Sequence, residues 1–463
     1  MQEIILYGTI KNNSFIFKGA MMKKLLILFL TLILTLSATG IIACGDSSET
    51  PGGSGGGNTP SEYTVEGTPG LRYNVYGQGE NRYAVFIGLS KDCTETDIVI
   101  GTHYQGVKVS EIGDGVNYLS NFKGVESVKI HKYVKLINSS AFNSSKALKK
   151  VDFDDDCDLK IGSSAFKNCT ALEEFNYKTP ITYLGDYAFT NCTSLPSTEY
   201  EGASYLKIAN NPYAILNNGL ESESVKVHKD CVAIQAEAFL DKASLKTVTF
   251  ESDTNLNVIC GFSFKQTGIT EISIPTSVKM LGEEAFYGCA SLEKVTFSEN
   301  SECNFMGVSL FQSCSALKEA VNFNKTKITI APHSCFQYCW EITSISFPET
   351  LTLIQTKFMW DCKKLLKVNF PKNCQITEIE YSVFRNAKDI DYLIIPKSVQ
   401  KVGYNIAGWA KTSFVFYCEG TYNASWHKNW NCRQGEEFHK VYYYSDSYKA
   451  GAWHYVNGEP ALW

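Results

Sequence analysis

Nucleophiles and metal ligands are numerous in this sequence, but their spacing does not assemble a catalytic or metal centre. Sixteen cysteines and seven histidines are spread along 463 residues, without a His-Glu-x-x-His motif or a Cys/His cluster of zinc-site spacing. A Gly-x-Ser-x-Gly pattern at 52–56 lies in a glycine-rich stretch that lacks the strand and helix of a hydrolase elbow. We therefore predict no enzymatic activity, no catalytic residue, no cofactor and no metal site.

For two smaller features we favour a structural role in a turn over a functional role. The aspartates at 154–156 and 158 lack the glycine and glutamate spacing of an EF-hand loop, so a solvated turn is favoured over a calcium site. His131 and His228 each follow a short β-type segment, which favours a role in the turn that comes next.

A repeated sequence motif accounts for most of the apolar residues. The pattern Ile-Gly-x-x-Ala-Phe-x-x-Cys-x-x-Leu-x-x-Val-x-Phe recurs about ten times between Val134 and Pro396, at intervals of 22 to 25 residues with one gap of 50. Position 0 of each copy is its first phenylalanine, and it is occupied by Phe142, Phe166, Phe189, Phe239, Phe264, Phe286, Phe311, Phe336, Met359 and Phe384. A period of this length predicts a solenoid, in which each coil buries its apolar side against the next. The closing Val-x-Phe alternation predicts one short parallel strand per coil.

The repeat also explains many of the cysteines. Six of them stand at position +3, where other coils carry Ser145, Lys242, Thr267 or Ala387. The six are Cys169, Cys192, Cys289, Cys314, Cys339 and Cys362. A position that accepts small residues predicts buried, unpaired thiols. The alternative is disulfide pairing, either between stacked neighbours or between Cys418 and Cys432 near the C-terminus.

The best copies, Leu281–Leu292 and Ile161–Leu172, closely resemble the BspA-like leucine-rich repeat family (LRR_5). The resemblance covers about residues 70–463, and the segment Asn211–Leu216 in the long gap is similar to the family's usual insertion. It implies a mostly β leucine-rich repeat solenoid and a non-enzymatic role in adhesion to host matrix proteins or other microbes. Lys440–Tyr444 and Trp453–Val456 are expected to form a hairpin that caps the last coil; a separate aromatic glycan-binding module is the alternative.

The N-terminal residues predict export. Met22-Lys23-Lys24 precedes the apolar run Leu25–Leu36, which is typical of a secretory signal. Ile41-Ile42-Ala43-Cys44 resembles a bacterial lipobox, which implies lipidation of Cys44; an N-terminal membrane anchor is the alternative. We expect a lipid-anchored, outward-facing protein of the cell envelope. The predicted divisions are 1–43 (upstream residues and signal), 44–61 (Gly/Ser tether), 62–133 (N-terminal cap and first coil), 134–410 (solenoid) and 411–463 (C-terminal cap).

Three aromatic side chains interrupt the repeat at positions that are usually small or polar. Tyr338 stands at position +2, Trp340 at +4 and Trp360 at +1 of the next coil. We expect this aromatic triad to form one exposed ligand-binding patch, because Tyr and Trp dominate interface hot spots. The alternative is that the three rings pack against the cap or each other.

The outward residues of the strands form the other candidate surface, and a net charge of −5 argues against nucleic acid as a partner. The family resemblance implies an extracellular protein as the ligand, with glycan capture by the aromatics as the alternative. Membrane contact is expected only through the N-terminal lipid, and the oligomeric state is not predicted.

Overall fold

The computed structural model of the chain describes residues 63–463 apart from 120, 180 and 436. The predicted signal, Cys44 and the tether lie outside the described residues. The fold is a leucine-rich repeat solenoid built almost entirely of short parallel strands, as the repeat predicts. Helical structure in the described part of the chain is limited to the 3₁₀ turns Gly79–Asn81 and Phe323–Lys325. None of the helices there is long and apolar enough to cross a membrane.

Each coil contributes two strands to separate parallel ladders. The longer strand comes from the Leu-x-x-Val-x-Phe phrase, and Val128, Val151 and Phe175 pair in register as successive buried positions. These strands are Asp97–Val99, Ser127–Ile130, Lys150–Phe153, Glu174–Asn176, Ser224–Val227, Thr247–Phe250, Glu271–Ile274, Lys294–Phe297, Glu319–Val321, Ser344–Ser346, Lys367–Asn369, Tyr392–Ile395, Val415–Cys418 and Lys440–Tyr443.

The second ladder comes from the isoleucine, or the equivalent apolar residue, that opens each copy of the repeat. Its two-residue strands are Leu136–Ile137, Lys160–Ile161, Tyr183–Leu184, Ala233–Ile234, Val258–Ile259, Met280–Leu281, Phe305–Met306, Ile330–Ala331, Leu353–Ile354, Glu378–Ile379 and Lys401–Val402. Their second residues point inward and are buried throughout. Two strands per coil thus hold the core from two sides.

The repeat phenylalanines stack along the core. Neighbouring rings from Phe142 to Phe189, and again from Phe239 to Phe336, have centroids 4.9–5.4 Å apart and planes within 13° of each other. Met359 is fully buried at the next position 0, and Phe358 beside it packs edge-on against Phe336. One ring per coil therefore fills the same level of the core in nearly every turn.

The cysteines at position +3 are free thiols, as expected, and they have a defined role. Each Sγ lies 3.0–3.2 Å from the main-chain oxygen of the preceding coil's position 0, as Cys169 does from Phe142 O and Cys339 from Phe311 O. The thiol is thus a second donor to a buried carbonyl that also accepts the N–H of position +3 in its own coil, as Phe142 O does from Ser145. Cys418 and Cys432 are also free, so the pair considered from the sequence does not form.

The segment around the phenylalanine forms a third ladder without extended strands. In eleven successive coils the residues at positions −2 and +2 adopt left-handed backbone conformations, with φ of 52–62° and 58–68° respectively. Their N–H groups and that of position 0 donate to the next coil, as Ser140 does to Ser163 O, Phe142 to Ala165 O and Ser144 to Lys167 O. Side chains at +1 and +2 are therefore arrayed in regular rows on the surface.

Two irregular segments, one before the coils and one within them, depart from the repeat. Leu71–Tyr76 and Tyr83–Leu89 form a hairpin whose second strand runs parallel to Val107–Ile112, with His103–Tyr104 on the other edge. The 50-residue gap contains a three-stranded antiparallel meander, Ser197–Tyr200, Ala203–Ile208 and Asn211–Gly219. The last strand of the meander pairs in parallel with Ala233–Ile234, which restarts the coils.

The expected pairing of the C-terminal hairpin is wrong. Lys440–Tyr443 runs parallel to Val415–Cys418 and adds a further strand to the solenoid sheet, because its alternating side chains continue the strand pattern. Trp453–Val456 instead pairs with Glu459–Leu462. Trp453 is fully buried, and its Nε1 donates to Cys418 O at 3.1 Å, so this hairpin is tied to the final coils. A further short pair joins Cys432–Gln434 to Glu437–Phe438.

The turn role expected for two histidines is confirmed. His131 Nδ1 accepts from the Tyr133 N–H at 3.2 Å, and Nε2 donates to Gly101 O at 3.0 Å. His228 Nδ1 accepts in the same way from the Asp230 N–H at 3.1 Å. Both imidazoles therefore fix the turn that follows a strand.

Candidate interaction surface

The aromatic triad lies on the face formed by the left-handed turns. The Tyr338 N–H donates to Trp360 O at 2.9 Å, which holds the two residues on adjacent coils, and their ring centroids are 6.5 Å apart. Tyr338 and Trp360 are half-buried, and Trp340 is 44% exposed. Tyr338 and Trp360 thus pack against each other, while Trp340 faces solvent.

Asp361 joins Trp340 to the rest of this surface. Its Oδ2 accepts from Trp340 Nε1 at 3.2 Å and lies 3.6 Å from Lys363 Nζ, while Oδ1 accepts from Asn386 Nδ2. Lys363 Nζ also lies 4.8 Å from the centroid of the Trp340 ring. The carboxylate therefore orients an indole and an ammonium group at the same time, with little of it left exposed.

Sequence reasoning missed four residues that extend the triad. Arg385 stands at position +1 of the next coil, and its Cζ lies 5.3 Å from the Trp360 ring centroid. The same Cζ lies 4.2 Å from the ring centroid of Trp409, which is 44% exposed. Lys357 Nζ lies 4.7 Å from the Trp360 ring. We call these seven residues the aromatic–cation patch: Tyr338, Trp340, Lys357, Trp360, Lys363, Arg385 and Trp409.

The patch places two bulky residues where the backbone disfavours them. Position +2 is left-handed in every coil, and nine of eleven coils fill it with Ser, Asn, Asp, Gln or Gly. Tyr338 and Trp409 have the same φ of 64° at this position. A large side chain with φ in this range is unusual and costs about 1 kcal/mol or more. The backbone of these two coils therefore carries strain at position +2, as the coils with Tyr187 and Phe262 do at position −2.

The sequence matches the model of the BspA type leucine-rich repeat region in six copies, over residues 110–217, 208–331 and 304–407. The chain belongs to this family. No curated protein matches the sequence significantly. Leucine-rich repeat solenoids of this kind generally serve as non-enzymatic scaffolds for protein–protein binding.

Several solved structures are similar to this chain. A leucine-rich repeat protein from Bacteroides ovatus is 22% identical, with a TM-score of 0.32, over 73% of this chain and 95% of that one. A leucine rich cell surface protein from Faecalibacterium prausnitzii is 21% identical, with a TM-score of 0.28, over 74% and 91%. The pneumococcal vaccine antigen PcpA is 17% identical, with a TM-score of 0.30, over 83% and 94%.

Many charges on the surface of the solenoid neutralise one another. Lysines pair with acidic residues of the preceding coil, at Nζ–O distances of 2.6–2.8 Å. The pairs are Lys149–Glu126, Lys318–Glu293, Lys327–Glu302, Lys364–Glu341 and Lys401–Glu378. Exposed pairs of this type contribute little to stability. The first two of them adjoin the longer strands, which form the second candidate surface.

Within residues 63–463, as far as they are described, no group of three or more His, Cys, Asp or Glu is arranged to hold a metal ion. In the acidic run, Asp155 pairs with Lys178 at 2.8 Å, and Asp154 accepts from the Tyr63 hydroxyl. Burial raises the pKa of Cys169 to about 12, so this core thiol stays protonated and poorly nucleophilic. The aromatic–cation patch therefore remains the candidate site.

Proposed function

We propose that this protein is a non-enzymatic adhesion or recognition protein of the bacterial surface that binds an extracellular protein through the aromatic–cation patch. One observation carries the proposal: Tyr338 and Trp409 keep large rings at a left-handed position that other coils reserve for small or polar residues. Strained residues of this kind persist where function requires them. Tyr, Trp and Arg are also the residues that dominate binding energy at interfaces.

The surface location is part of the proposal and rests on the N-terminal sequence. Lipidation of Cys44, followed by the Gly/Ser-rich tether, would hold the solenoid away from a membrane. Replacing Cys44 by alanine tests this step by cell fractionation. The expected result is loss of incorporated lipid label and release of the protein from the membrane fraction; retention of both would contradict the anchor at this residue.

Binding is tested with the full-length protein in mild detergent against a panel of extracellular-matrix proteins and glycans. The triple variant Tyr338→Ala, Trp340→Ala, Trp360→Ala is expected to lose the signal. Tyr118→Ala is the matched control, because this tyrosine is 59% exposed and lies outside the patch. A folded triple variant that binds as well as the wild type would contradict the patch and move the site to the strand face or the cap.

Glycan capture is the second candidate, because the exposed indole of Trp340 offers an apolar surface of the size of a sugar ring. A signal confined to glycans in the same panel, and lost in the triple variant, would favour this function over protein recognition.

A further inference from the structure

We propose that the aromatic–cation patch is a carboxylate-binding site, in which Arg385 is the central contact, and that the partner presents an acidic polypeptide segment. This inference deepens the proposed function and rests on it, since it names the chemistry of the protein that the patch would bind. It adds Arg385, Lys357 and Trp409 to the aromatic triad as residues that contact the ligand.

The position of Arg385 is fixed by its neighbours on both sides along the solenoid. Its guanidinium contacts the ring of Trp360 in the preceding coil and the ring of Trp409 in the following coil. The backbone supports this order, because the Asp361 N–H donates to Arg385 O at 2.8 Å. Stacking on indole faces leaves the N–H groups in the guanidinium plane able to donate to a carboxylate, and it reduces the side-chain entropy lost on binding.

The charges of the patch are not neutralised internally. Among the described residues no carboxylate forms an ion pair with Arg385 or Lys357, and Lys363 shares Asp361 with two uncharged donors. Three cations therefore face one carboxylate, on a chain whose net charge is −5. The contrast with the lysines that are paired elsewhere on the solenoid indicates that this cationic surface complements an acidic partner.

The same contacts favour a polypeptide over a neutral glycan. A sugar ring binds an aromatic residue through an open ring face. In the patch, cations lie over the rings of Trp340, Trp360 and Trp409 at 4.2–5.3 Å from their centroids. The rings therefore serve to position cations, and the cations are the groups that select the ligand.

The test uses the full-length protein and a fluorescein-labelled glutamate-rich peptide, with binding followed by anisotropy at low and high NaCl. The same peptide with glutamine at every glutamate is the ligand control. Arg385→Gln removes the central charge, and Lys294→Gln is the matched protein control, because Lys294 is exposed on the strand side without an ion pair in the described structure. Polygalacturonate provides carboxylates on a glycan.

The expected result is salt-sensitive binding of the glutamate peptide that weakens about tenfold or more in Arg385→Gln, the loss typical of a charged hydrogen bond. Lys294→Gln and the wild type should agree within about twofold, and the glutamine peptide should not bind. Equal binding by Arg385→Gln and the wild type would overturn the inference. So would binding of polygalacturonate alone, which assigns the carboxylates to a glycan.

The two proposals fail in different ways. If matrix proteins bind through the aromatic triad and Arg385→Gln has no effect, the proposed function stands and the carboxylate site is wrong. If the glutamate peptide binds through Arg385 and no protein of the panel binds, the carboxylate site stands and the adhesive function is wrong.

Discussion

Replacing Tyr338 by asparagine is expected to weaken ligand binding while it changes the stability of the fold by no more than about 1 kcal/mol. Asparagine is a residue that other coils carry at position +2, where φ is 58–68°. A side chain with a Cβ is disfavoured in this conformation, whereas asparagine tolerates it because its amide can hydrogen-bond to the local backbone. The substitution therefore relieves strain at a position that faces the proposed ligand.

The magnitude follows from one stabilising and two destabilising contributions. Relief of the left-handed strain is worth about 1 kcal/mol or slightly more. The ring contact with Trp360 is lost, but its centroids are 6.5 Å apart at an interplanar angle of 39°, near the outer limit for such pairs, so it is worth about 0.5 kcal/mol. The half-buried ring also returns apolar surface to water, at a cost of about 1 kcal/mol. The net expectation is a loss of about 0.5 kcal/mol in the free energy of unfolding, far less than the usual cost of about 3–5 kcal/mol for removing a packed aromatic side chain.

Urea denaturation of the full-length protein measures the change, with the urea dependence of unfolding compared between variants to detect loss of two-state behaviour. Ser144→Tyr is the reverse control, because Ser144 is exposed at position +2 of a distant coil. It is expected to lose about 1 kcal/mol. Binding to the ligand found in the panel is measured for both variants, and only Tyr338→Asn should weaken it.

A loss of about 3 kcal/mol or more in Tyr338→Asn would refute this reasoning. It would mean that the packing of Tyr338 far outweighs the backbone strain, so that the ring is explained by the fold and no longer points to a ligand. Nearly unchanged stability without any loss of binding would separate the strain from function in another way, and would leave the proposed site without its main support.

Three further predictions concern the described fold. Cys314→Ala should cost about 1 kcal/mol in urea denaturation, since Phe286 O loses the thiol 3.1 Å away but keeps the Cys289 N–H, and Cys314→Ser should cost less; the opposite order would contradict the donor role. Burial lowers the pKa of His131 to about 4, so the unfolded chain takes up the proton first: stability should be full above pH 6.5 and fall by up to about 3 kcal/mol as the pH approaches 4, and His131→Asn should flatten this profile. Trp453→Ala should cost about 3–5 kcal/mol and raise hydrogen exchange in Val415–Cys418 first; uniform exchange would argue against a local cap.

The core of this fold could be predicted from the sequence because phenylalanine recurs at the same buried position of nearly every coil. Phenylalanine at position 0 defines the register, and the stacked rings from Phe239 to Phe336 follow directly from it. The closing hairpin was harder to predict. Lys440–Tyr443 and Trp453–Val456 are both strand-like, and local pattern does not determine whether such a segment pairs with its neighbour in sequence or with the open edge of the last coil.

The candidate site could be predicted only in part, for a related reason. Tyr338 and Trp360 differ in type from the residues that other coils carry at the same repeat positions. Their proximity could therefore be predicted from the register alone. Trp409 stands in the same row as Tyr338, but Ala407 occupies position 0 of that coil and hides the repeat. The preceding Val402-Gly403 was the available signal, because it matches the Ile-Gly that opens other copies. Arg385 gave no signal, since a cation at an exposed position is ordinary until the two rings beside it are known.

The geometry of the repeat explains how a patch of this kind can arise without disturbing the fold. Positions 0 and +3 are mostly buried and fix the core, whereas +1 and +2 are mostly at the surface; the N–H of +2 donates to the next coil, and the N–H of +1 donates within its own coil. A large residue at +2 therefore strains its own backbone and leaves the core unchanged. Equivalent positions of successive coils are neighbours in space. Large residues at these positions in adjacent coils therefore contact each other, as Trp360, Arg385 and Trp409 do. Selection for binding can thus act on these rows almost independently of selection for stability, and the cost appears as local strain of the kind that Tyr338→Asn is designed to measure.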